Sequence, residues 1–333
     1  PKDEQKQQVK DLSNLSLIET SFKLEWMDRP WEDVEKAGEF LLDIERCCFC
    51  DVVHLNGFCH ASLPFKSPVL VTAHSCVYSW FEAVHGSKPP AGEWHRYFTE
   101  VSRGLKSADL VTAPTSAMLM ELEKFYGRLR NAKVIYNGSD VLPPAAEKEN
   151  FVLSAGRLWD EAKNIKTLQE AAGKIKWPVH IAGHDRHPNG KKRTFEKVVP
   201  LGSLNKNELT DQMARASIFA LPAKYEPFGL CILEAALCGC ALVVGDIENL
   251  REVWKDAAVY VDPDDERQLA AKINQLIENP QLLRYYSQKA KLRAKLYTLE
   301  NMTSNYLSSY RYLASGKTGL TKMKQKAVIE NLK

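Results

Sequence analysis

The sequence predicts an α/β chain of doubly wound type, arranged as two Rossmann-like units. Three observations carry that expectation. Short apolar runs of four to six residues alternate with longer helical patterns in the order strand–helix–strand. Most of the short runs are apolar throughout, as parallel strands covered on both faces require. A single shift in composition, NGSDVLPPAAEKEN at 137–150, breaks the alternation with prolines, small residues and charges, and reads as a linker between two sets.

In the first set the expected strands are DVVHL (51–55), PVLVTA (68–73), DLVTA (109–113) and KVIY (133–136), with helical patterns at 32–45, 93–106 and 115–126. Thr115 or Ser116 can cap the helix holding MLMELEKF, and Gly127 can close it. The second set offers strands FVLSA (151–155), PVHIA (178–182), SIFAL (217–221), ALVV (241–244) and AVYV (258–261). Its helical patterns lie at 164–175, 207–215, 229–238 and 248–255, followed by amphipathic segments at 264–278, 280–296 and 299–314. The domains expected are 1–142, 143–298, and a C-terminal part, 299–333, whose helix packs back toward the first domain ahead of a basic tail. A cleft between two such units is the default place for a ligand.

Bulk properties exclude several classes. A chain of 333 residues, 44% apolar and 26% charged, has the size and composition of a two-domain globular protein. No run approaches the roughly 18 apolar residues of a membrane span. No secretory signal is visible at the start, although the first residue is Pro1 rather than Met. A net charge of +3 is too small to argue for nucleic acid. Basic residues gather in RHPNGKKR (186–193) and in the tail 317–333, which read as a solvated loop and tail; attraction to the inner face of an anionic membrane is the sharper alternative. Eight cysteines in a chain that needs no disulfide framework suit a reducing cytosol. The cluster Cys47, Cys48 and Cys50, with His54, Cys59 and His60 nearby, lacks two paired C-x-x-C spacings, so small buried hydrophobes are expected there rather than a metal.

The chemistry concentrates in YEPFGLCILEAALCGC (225–240). Glu226 and Glu234 stand eight residues apart around the start of a helix that needs neither of them for burial. With Pro227 in the first turn, the helix begins near Pro227–Phe228, and the N–H groups of Phe228, Gly229 and Leu230 form an anion site. Carboxylates repel an anion, so they are better employed on hydroxyls to either side of it. Hydroxyl, phosphate, hydroxyl is the outline of a sugar, a diphosphate and a ribose. Arg157 and Lys163, in SAGRLWDEAKN (154–164), supply cations at a strand's carboxyl end.

These residues carry a resemblance. Gly156-Arg157 with Lys163-Asn164, PLGSL (200–204), LPAKYEPFGLCILEAALCG (221–239) and ENLREVWKDAAVYVDPDD (248–265) resemble, in that order, the donor domain of the retaining GT-B glycosyltransferases of family 4. The resemblance implies a GT-B fold, two Rossmann-like domains facing across a cleft. It implies that Arg157 and Lys163 hold the diphosphate, Glu226 binds the donor sugar, and Phe228, Gly229 and Leu230 offer amides. Glu234 would hold the ribose, and the stretch from Val199 to Leu201 would border the base. In the first half, VLVTAHS (69–75) resembles the turn that places a histidine in the cleft, which nominates His74; His60, His85 and His95 are weaker candidates. VIYNGSD (134–140) resembles the family's Asn-Gly turn.

The family's opening strand, Gly-Gly loop and helix have no match in the first 26 residues, and IAGHD (181–185) replaces the frequent Gly-x-Gly. The implied reaction moves a hexose, best glucose from UDP-glucose with GDP-mannose next, to a hydroxyl of a glycan or lipid-linked acceptor. Fixed cations would neutralise the leaving diphosphate, so no metal and no further cofactor is expected, and DPDD (262–265) is read as a helix cap. A cytoplasmic enzyme of polysaccharide synthesis is the resulting expectation. The alternatives are a nucleotide-sugar-binding module without turnover and an epimerase of the same fold. A nicotinamide dehydrogenase has little support, since no strand is followed by G-x-G-x-x-G.

Overall fold

The computed structural model describes Lys6, Val9, residues 12–186, Gly190 and residues 192–316. Half of the basic stretch 186–193 and the tail 317–333 lie outside the described residues. Two parallel sheets organise the rest. The first unit runs α1 (Trp31–Cys47), β1 (Val53–Leu55), a 3-10 turn (Cys59–Ser62), β2 (Val69–Thr72), α2 (Val77–His85), α3 (Ala91–Ser107), β3 (Leu110–Ala113), α4 (Ser116–Tyr126) and β4 (Ala132–Val134). Its sheet has the order β1-β2-β3-β4, all parallel. Both middle strands are buried at every position, which is why they read as unbroken apolar runs.

The second unit contains β5 (Glu149–Ala155), a 3-10 turn (Glu161–Lys163), α5 (Ile165–Ala172), β6 (Val179–Ala182), β7 (Val199–Gly202), α6 (Lys206–Arg215) and β8 (Ala216–Leu221). It continues with α7 (Leu230–Leu237), β9 (Ala241–Gly245), α8 (Glu248–Trp254), β10 (Val259–Val261), α9 (Glu266–Glu278) and α10 (Pro280–Ala294). The sheet order is β10-β9-β8-β5-β6-β7. The chain builds outward from β5 through β6 to β7, then returns to the other side of β5 for β8 and builds the opposite way. The strand order therefore reverses between β5 and β8, and an open α/β sheet has its ligand crevice outside the carboxyl ends at such a point.

Several turns form as their side chains dictate. Thr115 accepts the Met118 N–H and caps α4, with Ser116 already its first helical residue. Asp265 accepts the N–H groups of Arg267 and Gln268 and caps α9. Cys47, Cys48 and Cys50 are exposed at the end of α1 and just after it, whereas Cys59 is buried; the expectation of buried hydrophobes fails for the first three. Their run falls where the helix ends and the chain crosses to the sheet's edge, so no second layer covers it.

The last helix, α11 (Leu299–Ser315), returns to the first unit. Its Leu313 joins Leu70 and Leu110 in a small core, and its Tyr310 and Tyr306 hydroxyls reach His54 (2.7 Å) and Thr72 (3.2 Å). The two units thus share two crossings, at 136–148 and at 297–298, joined where the Ser139 N–H donates to Tyr297 O at 3.1 Å. Further bonds close the seam: Trp80 Nε1–H donates to Asp160 (3.1 Å), and the Cys76 N–H donates to Tyr225 Oη (3.1 Å). Ala162 and Tyr225, from the second unit, are buried within the core of the first.

Candidate functional site

Two loops meet at the switch point, one after β5 and one after β8. In the first, Asp160 accepts the Ala162 N–H at 3.0 Å and pairs with Arg157 at 2.9 Å through its other oxygen. Asn164 ends the short turn in the left-handed region, φ 54°, a conformation in which Asn is several-fold enriched. Its buried amide donates to Pro222 O (3.0 Å) and Pro263 O (2.6 Å), tying the β5 loop to the loops after β8 and β10. Lys163 is fixed between these two anchors.

In the second loop the Lys224 N–H donates to Ala162 O at 2.9 Å. Tyr225 then plunges into the first unit, which turns Glu226 back toward Lys163. Their charged atoms lie 2.5 Å apart, with side chains only 12% and 15% exposed. An ion pair this shielded is costly to break from one side, because the remaining charge keeps its desolvation penalty without its partner. Arg157 sits at the rim, half-exposed and over the Trp159 ring at 5.4 Å.

Gly229 sets the start of the helix beyond this loop. It sits at φ 88°, where a methyl group would strike Ile232 Cδ1 at 2.7 Å and approach Glu226 Cγ at 3.4 Å. Because this left-handed residue caps the helix, α7 begins at Leu230 and not at Pro227–Phe228. The first bond of its ladder runs from the Leu233 N–H to Gly229 O at 2.9 Å. The amides ahead of the ladder are therefore those of Leu230, Cys231 and Ile232, a shift of two residues from the expected Phe228, Gly229 and Leu230. Phe228 is 2% exposed and packs edge-on against Tyr297, a wedge beneath the loop.

Glu234 lies one turn further along α7. Burial raises its carboxyl pKa above the ordinary value, moderated by Lys206 and by Ser139 of the linker. Cys231 stands among Glu234, Glu226 and Lys163, and burial pushes its thiol up to about 12. His74 follows β2, its Nε2 2.8 Å from Asn56 Oδ1; desolvation lowers its imidazole pKa although part of the ring remains accessible. It stands two residues from Cys76, whose amide holds Tyr225, next to Glu226. Leu201 packs partly on the second core, beside the carboxyl end of β7, whereas Val199 is exposed at the strand's opposite end. Gly183 permits contact between strand ends, since a methyl there would lie 1.7 Å from Gly156 O.

Residues that sequence reasoning passed over also build the site. Asp160 and Asn164 flank Lys163, and their caps were readable from Asp-x-x-Lys-Asn alone. Tyr225 gave no signal, because an aromatic beside a glutamate says nothing of the domain that receives it.

Residues 142–293 match the family profile described as glycosyl transferases group 1, and residues 24–141 match that of glycosyltransferase family 4. An alpha-maltose-1-phosphate synthase of Mycobacterium tuberculosis is 31% identical over 276 residues, 70% of this chain and 70% of that protein. The chain belongs to the group 1, family 4 glycosyltransferases. A Campylobacter jejuni 4-alpha-N-acetylgalactosaminyltransferase, named for a diphospho-undecaprenol-linked sugar, is 28% identical over 208 residues, covering 57% of this chain and 56% of its own length. The chain spans about half the length of several such relatives, at 56%, 45% and 52%. Among solved structures, the sucrose-phosphate synthase of Thermosynechococcus elongatus superposes with a TM-score of 0.75 at 19% identity, over 88% of this chain and 81% of that one. The Anabaena protein HepE, crystallised with UDP and glucose, gives 0.67 at 18% identity over 84% and 82%. The fold is GT-B, the family's two α/β domains.

Proposed function

We propose that the chain transfers a hexose from a nucleotide diphosphate to a hydroxyl of a glycan or lipid-linked acceptor, retaining the anomeric configuration, with UDP-glucose as donor. The observation that carries this reading is the convergence of Lys163, Arg157, Glu226 and the open α7 amides at the switch point between β5 and β8. Departure of a diphosphate builds negative charge, and preorganised cations and amides stabilise that charge as it develops. A donor phosphate would draw Lys163 from Glu226, releasing the carboxylate to accept hydrogen bonds from sugar hydroxyls. Arg157 at the rim would take the outer phosphate oxygens. Glu234, near the linker, would accept a hydrogen bond from a ribose hydroxyl.

Attack from the departing face lets the leaving phosphate oxygen take the acceptor proton, so no glutamate acts as a nucleophile. With the leaving charge met by fixed groups, turnover should survive EDTA. UDP-glucose is chosen because UDP-sugars are common donors for sites of this kind; the relatives' own names span mannose, N-acetylgalactosamine and glycogen. Among the described residues no helix is long and apolar enough to cross a membrane.

A thermal-shift panel of UDP, GDP and ADP, then of their sugar conjugates, tests the donor, because a ligand of the native state raises the melting temperature according to its affinity. NMR of the product then reads the anomeric configuration. A rise with UDP and an α-linked product from UDP-glucose are expected. Binding without transfer or hydrolysis would favour the non-catalytic module, and a changed sugar epimer without acceptor would favour the epimerase.

A further inference from the structure

Glu252 lies on α8 of the donor domain, yet its carboxylate serves a helix of the facing domain. The N-terminal amides of α4 are shared between two caps. Thr115, local to the helix, takes the Met118 N–H at 3.1 Å. Glu252 takes the other two, Ser116 N–H at 2.8 Å and Ala117 N–H at 2.9 Å, one on each oxygen. The Tyr136 hydroxyl, from the chain leaving β4, donates to the same carboxylate at 2.9 Å. Three donors converge on an acceptor-only group, at a helix end where negative charge is favoured.

The same cap reaches the sugar site. The fully buried Thr115 hydroxyl donates to Pro227 O at 3.1 Å, and buried Asn249 donates to Thr115 Oγ1 at 3.2 Å. Pro227 follows Glu226 directly. Beside Glu252 a cavity of about 490 Å³ opens between the domains, lined by Tyr136, Arg293 and Tyr297. Directed hydrogen bonds to Glu252 therefore help to fix the register of α4 against α8.

We propose that Glu252 is a positioning residue that locks the two domains in the closed register transfer requires, by capping α4 from across the cleft. This rests on the proposed function, in which one domain holds the donor and the other the acceptor. Reactive atoms must meet within about 3–3.5 Å, and a misplacement of about 1 Å can cost roughly a hundredfold in rate. Glutamine cannot substitute, because its NH₂ would face one of the two backbone N–H groups and leave that group unmet.

The test uses the full chain with Glu252→Gln, and Tyr136→Phe as a milder second variant. Amide hydrogen exchange at Ser116 and Ala117 should quicken by about tenfold or more in Glu252→Gln, with the buried strands of both sheets unchanged. Small-angle scattering should show a larger radius of gyration. With UDP-glucose and acceptor, kcat should fall by roughly 10- to 100-fold while the affinity for UDP stays within about twofold. Tyr136→Phe should move each readout in the same direction by less. Unchanged exchange at Ser116 and Ala117, or an unchanged radius, would overturn the proposal, as would a parallel loss of UDP affinity and kcat. If wild-type protein turns over no nucleotide sugar, that failure belongs to the function reading, and exchange and scattering still decide whether Glu252 holds the domains.

Discussion

The two domains handle their strand ends differently. In the second domain the order reverses between β5 and β8, and the loops after those strands bring Lys163, Glu226 and the open end of α7 into one small volume. In the facing domain the four described strands run in simple sequence, and their carboxyl ends carry neutral groups such as His74, paired with Asn56. One domain concentrates charge, while the other supplies the helix end that Glu252 caps. Topology decides where charge can be assembled, and packing across the seam decides how the assembled groups are aimed.

The largest expected effect lies on the charged side. Lys163→Ala should lower turnover by about a hundredfold or more, because it removes a fixed cation from the developing charge and leaves Glu226 shielded and unpaired. Steady-state kinetics check this, and unchanged turnover would mean that the concentration of charge has no catalytic meaning. Glu226→Ala should harm transfer more than binding of UDP, which titration calorimetry separates. Next in size is Gly183→Ala. A methyl 1.7 Å from Gly156 O cannot be absorbed by a side-chain rotation, so the strand ends must part, with destabilisation of about 2–4 kcal/mol visible in denaturant melts.

On the facing side the effects should be smaller. His74→Ala is expected to reduce kcat by about tenfold, within the range of a group that assists without carrying the charge. A reduction as deep as that of Lys163→Ala would erase the contrast between the domains. Smallest is a pH effect at the seam. Burial raises the Glu121 carboxyl from 4.5 to about 7, with Glu82 and Glu248 adding to the shift and Ser79 and Lys124 moderating it. The folded state therefore holds a proton that the unfolded chain releases. That contribution is full below about 4.5 and is lost as pH rises through about 7. Glu121→Gln should flatten the fall in melting temperature between pH 5 and pH 8, worth about 1–3 kcal/mol at the upper end. An unaltered slope would mean that Glu121 has no part in the seam's response to pH.

Much of this was legible in the residues because parallel strands are buried on both faces. β2, β3, β8 and β9 are apolar at almost every position, and their bounds agree with the sequence to within a residue or two. The edge strand β7 was not, since VPLG is mostly exposed and carries a proline and a glycine. α2, VYSWFEAVH, was missed for a related reason: its aromatic and β-branched residues give no clear helical stripe. The start of α7 moved by two residues because Gly229, not Pro227, sets the break. Partners across the cleft were invisible in principle. Glu252 and Glu121 look like solvated helix charges until the facing domain is in place.

The decisive measurement is a structure with UDP bound. A phosphate oxygen is expected within about 3 Å of Lys163 Nζ and of an amide among Leu230, Cys231 and Ile232, with Glu226 released from the lysine. A nucleotide seated elsewhere, with Lys163 and Glu226 still paired, would contradict the assignment of the diphosphate to this switch point.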